Sequence, residues 1–318
     1  MRRAEAADRP AILELLGDAE LRWGADDASA ALFAWKHDES PFGPSPAWVA
    51  TAGDRLAGFR TFARWEFERD GRPVRAVRAV DTATHPDFQG QGVFSRLTLH
   101  ALDELGDDVD FVFNTPNANS LPGYLKMGWE EVGRLPVAAR PRTIWRAPKL
   151  LAARTAADKW SLPTDAAEPA ADVLADEAGV ERLLASLPAG DGVRTRRDAA
   201  FLRWRYGFAP LHYRAALLGG TLERGVALFR VRARGGATEA AVVDVLAPGG
   251  DRREAARLVR SAVRVSGADY GIRLGRAGRD GCVPVPGQGP LLVWRKLRET
   301  AKPTLPAWQL VLGDVELF

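Results

Sequence analysis

Leu32-Phe33-Ala34-Trp35-Lys36 returns later in the chain as Phe201-Leu202-Arg203-Trp204-Arg205: two apolar residues, a spacer, Trp, then a base. Each copy is followed by two apolar runs joined through glycine. They are 48–51 and 56–62 around Gly53-Asp54, then 213–218 and 225–231 around Gly219-Gly220. Apolar runs closed by Gly and Asp read as hairpin strands. A further strand in each half carries Val-Asp (Val80-Asp81, Val243-Asp244) and leads to a turn with proline (Pro86, Pro248). Val93, Leu97, Ala101, Leu102 and Leu105 fall on one helical face and predict a helix over 93–105. Ala255, Leu258, Val259, Ala262 and Val263 predict a second over 252–265. Strands over 110–113 and 270–274 follow. Helix, hairpin, strand, helix, strand, written twice, predicts an α/β chain of two similar domains. Their expected bounds are 1–149 and 191–318, the latter with a C-terminal tail. Residues 150–190, rich in Ala, Asp and Pro with a helical run at 180–187, read as a partly helical connector.

Composition excludes several classes. A chain of 318 residues, 46% hydrophobic and with ten Trp, is not a disordered one. No stretch approaches the ~18–20 apolar residues of a spanning helix, so no membrane partner is expected. Met1-Arg2-Arg3-Ala4-Glu5 lacks an apolar signal core, and the expected location is the cytoplasm. Cys282 is the single cysteine, which rules out an intrachain disulfide and a Cys-based zinc site. No His or carboxylate spacing suggests a metal. The net charge of +3 comes from 44 basic against 41 acidic residues, spread over both halves. Arg140, Arg142 and Arg146, in the one denser stretch, read as a solvated face, and no nucleic-acid partner is expected. Nothing in the sequence sets the oligomeric state.

The most informative segment is His85-Pro86-Asp87-Phe88-Gln89-Gly90-Gln91-Gly92-Val93-Phe94-Ser95, between a strand and a helix. A glycine-rich strand-to-helix loop offers unpaired backbone N–H groups at the positive end of a helix, which suits a diphosphate. Gln89-x-x-Gly92-x-Phe94 resembles the Q/R-x-x-G-x-G/A signature of the GNAT superfamily of acyl-CoA-dependent N-acyltransferases, with Phe94 where Gly or Ala is usual. Asn117-x-x-Ser120-x-x-x-Tyr124-x-x-x-Gly128-Trp129 is similar to the family's second pattern, with Trp129 in place of Phe. The resemblance covers about 1–145 and extends more weakly, through the repeat, to about 191–297. It implies two GNAT-like domains, each a mixed sheet flanked by helices, and an N-acetyltransferase moving an acetyl group from acetyl-CoA to a primary amine. The acceptor would be a small molecule or a peptide.

By the same resemblance the coenzyme A pyrophosphate lies on Gln89, Gly90, Gln91, Gly92, Val93, Phe94 and Ser95. The strand segment Thr82, Ala83 and Thr84 meets the thioester and pantetheine, with Asn117 and Ser120 beside the arm. Tyr124 points at the sulfur and protonates the departing thiolate. The general base stays open between Asp81 and His85, which flank the end of the donor strand. Asp81 has a counterpart in Asp244, in a half without the coenzyme signature, and that favours a structural task for it. The second half therefore reads as a degenerate GNAT-like domain, where Asp251 would set a negative charge beside any phosphate. Two alternatives stay open: an aminoacyl or peptidyl transferase of the tandem GNAT-like type, and a non-catalytic acyl-CoA-binding module. The tail 308–318 is expected to dock as a strand. It is also distantly similar to that of the enhanced-intracellular-survival acetyltransferases, which end in a Phe whose carboxylate serves as base, a role that would fall to Phe318.

Overall fold

The computed structural model describes residues 1–18 and 27–316. They divide into two compact units, Met1–Gly133 with Leu291–Thr304, and Arg134–Pro290 with Leu305–Phe318.

The sheet of unit 1 is built from Arg2–Arg3 (β1), Ala47–Ala52 (β2), Arg55–Arg69 (β3), Arg72–Thr84 (β4), Phe111–Asn114 (β5), Glu130–Arg134 (β6) and a strand from much later in the chain, Leu291–Lys296 (β15). Its order is β1-β2-β3-β4-β5-β15-β6. β4 and β5 pair in parallel, whereas β2–β3, β3–β4 and β5–β15 are antiparallel. A parallel pair needs a crossover, and Val93–Leu105 (α3) supplies it. The expected apolar positions of this helix, Val93, Leu97, Ala101, Leu102 and Leu105, are all buried with Trp48, Phe62, Val77 and Val112. Each large side chain so buried contributes about 1.5–3 kcal/mol. Gly58 permits the close approach, since a Cβ there would lie 2.8 Å from Val93 Cγ1. Arg9–Asp18 (α1), Asp27–His37 (α2) and Leu121–Lys126 (α4) complete the unit. Phe33 of α2 packs on Phe59 at 6.3 Å. Phe59 alternates along β3 with Arg60 and Phe62, so α2 covers the sheet face opposite to α3.

Unit 2 repeats the plan. Its strands are Val137–Pro141 (β7), Glu168–Pro169 (β8), Val193–Thr195 (β9), Arg214–Leu218 (β10), Thr221–Arg234 (β11), Ala237–Leu246 (β12), Tyr270–Leu274 (β13) and Val283–Pro284 (β14). The sheet runs β14-β7-β13-β12-β11-β10-β8. β12 and β13 form the parallel pair, joined by Arg252–Val265 (α8). Ala170–Leu174 (α5), Glu177–Ala185 (α6), Ala199–Gly207 (α7) and Leu312–Val315 (α9) are its other helices. Both sheets are mixed and both carry helices, as the expected α/β class with two similar domains requires.

The units cut the chain differently from the expected 1–149, 150–190 and 191–318. The reason is an exchange of strands: β7, from just after the first copy, pairs with β13, and β15, from the end of the second copy, pairs with β5. The span 150–190 is an integral part of unit 2, with Leu174, Val180 and Leu183 buried. The tail is ordered at Trp308, but it forms the short helix α9 and not a strand. Asp314 accepts the Val311 N–H at 2.8 Å and closes that turn. Arg146 is exposed, as a solvated face requires, whereas Arg140 and Arg142 are half-buried; the three bond to the Asp269 carboxylate, Asp280 O and Ala268 O respectively. Phe318 lies outside the described residues.

Candidate active site

β4 carries a bulge. Its register against β3 passes from Thr61↔Val80 to Phe59↔Ala83, so Asp81 and Thr82 together face Arg60. Asp81 takes a left-handed conformation with φ 38°, which Asp tolerates better than most residues. The bulge turns β4 away from β5, and their pairing ends at Arg78↔Phe113 although β4 continues to Thr84. Thr82, Ala83 and Thr84 therefore line the opening between the two strands. The Thr82 hydroxyl bonds back to Phe59 O at 3.0 Å.

The Asp81 carboxylate faces α2. It accepts from Lys36 Nζ at 2.5 Å and lies 2.9 Å from His37 Nε2, and all three side chains are buried. Burial alone would raise this carboxyl, but Lys36 and His37 outweigh it and hold the group below the usual carboxylate range. Burial pushes the His37 imidazole down, against the pull of Asp81. His37 follows the repeated apolar-Trp-base motif, and Tyr206 follows its second copy. The Tyr206 hydroxyl donates to Asp244 at 3.1 Å, so each copy ties its helix to the aspartate of its own bulge.

Beyond Thr84 the chain makes a short turn, Pro86–Phe88. His85 Nδ1 accepts the Asp87 N–H at 3.2 Å. Nε2 lies 3.4 Å from Arg55, which is paired with Asp87. Gln89 and Gln91 bond to the backbone oxygens of Thr84 and Asp87. Gly90 and Gly92 both have φ 73°, a conformation in which a side chain would be strained. Gly92 is the residue preceding α3, and among the described residues no side chain caps that helix. The N–H groups of Val93, Phe94 and Ser95 thus open the helix without an intrahelical acceptor. Phe94, the departure from the family pattern, lies against Gly123, where a Cβ would come within 2.9 Å of its ring. The glycine thus accommodates the larger residue.

Asn117 Oδ1 accepts from the N–H groups of Asn119 and Ser120 and from the Ser120 hydroxyl, which starts α4 and leaves the Asn117 amide NH2 to donate elsewhere. Tyr124 is buried between Phe94, at 5.4 Å, and Trp129, at 5.0 Å. Its hydroxyl accepts from Arg60 Nη1 at 2.8 Å. The start of α3 and Tyr124 thus meet on the α3 side of the sheet through Phe94, and Gln89 ties the glycine loop to Thr84 at the end of β4. Asp81 is turned to the other side.

Residues 1–132 match the family model described as an acetyltransferase (GNAT) domain. The chain carries a GNAT acetyltransferase domain. Solved structures agree on the fold across both units. A GCN5-related N-acetyltransferase from Anabaena variabilis is similar at TM-score 0.63 and 14% identity, over 93% of this chain and 72% of that one. A probable N-acyltransferase from Enterococcus faecalis gives 0.61 and 13% over the same shares. Eis1 from Mycobacterium abscessus gives 0.58 and 16%, over 93% and 73%. No curated protein sequence matches the chain. The match of residues 1–132 to a GNAT acetyltransferase domain supports acyl transfer. Among the described residues no His, Cys, Asp and Glu group could hold a metal ion, and no helix is long and apolar enough to cross a membrane.

Sequence reasoning missed Arg60. The available signal was a charged residue inside the apolar run 56–62, in register with Phe62 on the buried face.

Proposed function

We propose that unit 1 transfers an acetyl group from acetyl-CoA to a primary amine by direct attack in a ternary complex. The observation that carries this reading is the uncapped start of α3 behind Gly90 and Gly92, beside the opening of β4 from β5 with Tyr124 buried at its side. In this reading the pyrophosphate lies on the N–H groups of the 89–95 loop, where helix polarity and backbone donors favour an anion. The pantetheine arm runs along Thr82–Thr84 and past Asn117. Attack of the neutral amine on the thioester carbonyl forms the C–N bond. The C–S bond then breaks, and Tyr124 donates its hydroxyl proton to the thiolate. Holding donor and acceptor together supplies much of the acceleration, while coenzyme A carries the activated group.

Asp81, committed to Lys36 and His37, shapes the bulge in this reading and does not take the amine's proton. A coenzyme A release assay over a panel of amines tests the proposal. Thiol release that depends on both acetyl-CoA and an amine supports it. Binding of acetyl-CoA without turnover on any amine would point to a non-catalytic binding module instead.

A further inference from the structure

Arg60 is a fully buried cation without a buried anion. Its side chain is 0% exposed, and no carboxylate among the described residues pairs with it. The guanidinium lies among rings, 4.4 Å from the centre of Phe62, 5.4 Å from Tyr124 and 5.8 Å from Phe94. Nη1 donates to the Tyr124 hydroxyl at 2.8 Å, while Nε and Nη2 have no partner among the described residues. Arg205, equally buried, differs: each of its three nitrogens bonds, to Gly313 O, the Tyr213 hydroxyl and Glu316 O. An unpaired buried charge is costly, and an apolar side chain of similar volume would hold a purely structural position at least as well.

We propose that Arg60 is the positioning residue for the proton donor Tyr124. This rests on the reading of Tyr124 given above. Because Nη1–H occupies one lone pair of the tyrosine oxygen, the hydroxyl proton is turned away from Arg60. When the C–S bond of the tetrahedral intermediate breaks, its electron pair passes to sulfur and the Tyr124 proton follows. The phenolate that remains lies in a charge-assisted hydrogen bond with the guanidinium, in surroundings that screen the pair poorly. The proton shed by the amine as the amide forms restores Tyr124 through solvent, so the protons balance.

The test compares Arg60→Met, Tyr124→Phe and the double variant, measuring kcat, acetyl-CoA affinity and melting temperature. The expected result for Arg60→Met is a kcat lowered about 10²-fold, acetyl-CoA affinity within about threefold of wild type, and an unlowered melting temperature. Two residues acting as one unit predict a double variant no slower than Tyr124→Phe alone. A wild-type kcat in Arg60→Met beside a defective Tyr124→Phe would overturn the assignment of Arg60. A wild-type kcat in Tyr124→Phe would instead overturn the reading of Tyr124. Should Arg60→Met fail to fold, Arg60→Lys keeps a cation and a donor. It is expected to lower kcat less than the loss stated for Arg60→Met, and that smaller loss should vanish in the Tyr124→Phe background; an undiminished loss there would overturn the proposal.

Discussion

In unit 1 the helix after the bulged strand begins at Gly92, which is left-handed and provides no cap. In unit 2 it begins at Asp251, whose carboxylate takes the N–H groups of Arg253 at 2.6 Å and Glu254 at 3.2 Å. Two features before that point are shared. Both bulges carry a buried aspartate tied to the preceding repeat helix, and both parallel pairs open soon after they form, β4–β5 past Arg78 and β12–β13 past Ala241. The opening in unit 2 is a cavity of about 550 Å³ lined by Val243, Ala256, Leu274 and Leu312 among others. Both strand pairs therefore part in the same way, while in the proposed reading a phosphate site depends on whether the helix end is left free. In unit 2 the Asp251 side chain already occupies the position an anion would take.

The largest effect that could break this comparison concerns the two aspartates. Asp81→Ala should destabilise its unit by about 3–5 kcal/mol in chemical denaturation, because Lys36 loses a buried partner, and Asp244→Ala should cost its unit less, because Arg197 keeps Asp314. If Asp81→Ala kept wild-type stability and lost turnover alone, Asp81 would be the general base and the parallel with Asp244 would fail.

Next comes the helix end itself. Gly92→Val should weaken acetyl-CoA binding by about 10²-fold or more, a loss of ~2.7 kcal/mol. Gly249→Val, in the corresponding turn of unit 2, should leave that affinity unchanged. Equal losses in calorimetry would mean that the two turns are not distinguished as proposed.

Acid should separate the units more gently. His37 is held below its ordinary range in the folded state, so the unfolded chain binds its proton first, and stability falls as pH drops below about 6.5. Asp81, also depressed, adds to the loss at lower pH, below about 3.9. Burial raises the Asp244 carboxyl, against Arg197. That sign is opposite: its contribution becomes more favourable as pH falls. Amide exchange between pH 7 and pH 5 should therefore show α2 and β4 losing protection before α7 and β12. The smallest effect belongs to the unit 2 cap: Asp251→Ala should cost about 1 kcal/mol with no change in acetyl-CoA affinity.

Much of this was legible in the residues. The ends of α3 and α8 coincide with the amphipathic periods over 93–105 and 252–265, because each apolar stripe is long and has one face to bury. The shared Asp81 and Asp244 argue for a structural task, and in the proposed reading the contacts of Asp81 with Lys36 and His37 supply it. Strand exchange was not legible. Alternation in Val137–Pro141 and Leu291–Lys296 says that they are strands, but not which sheet receives them. The Ala- and Pro-rich span after residue 150 reads as a linker because its buried residues are few and short-ranged. Leu312–Val315 reads as a strand by apolarity alone, whereas Asp314 closes a helical turn and reaches Arg197. Arg60 was hidden because strand alternation records which face a residue takes and nothing of what it meets there.

The central claim is that one coenzyme site exists per chain and that it lies on the free end of α3. Calorimetric titration of the full chain with acetyl-CoA tests it directly, with Gly92→Val alongside. The account predicts a stoichiometry near one for the wild type and no binding heat in the variant. A stoichiometry near two, or a heat that survives Gly92→Val, would contradict it.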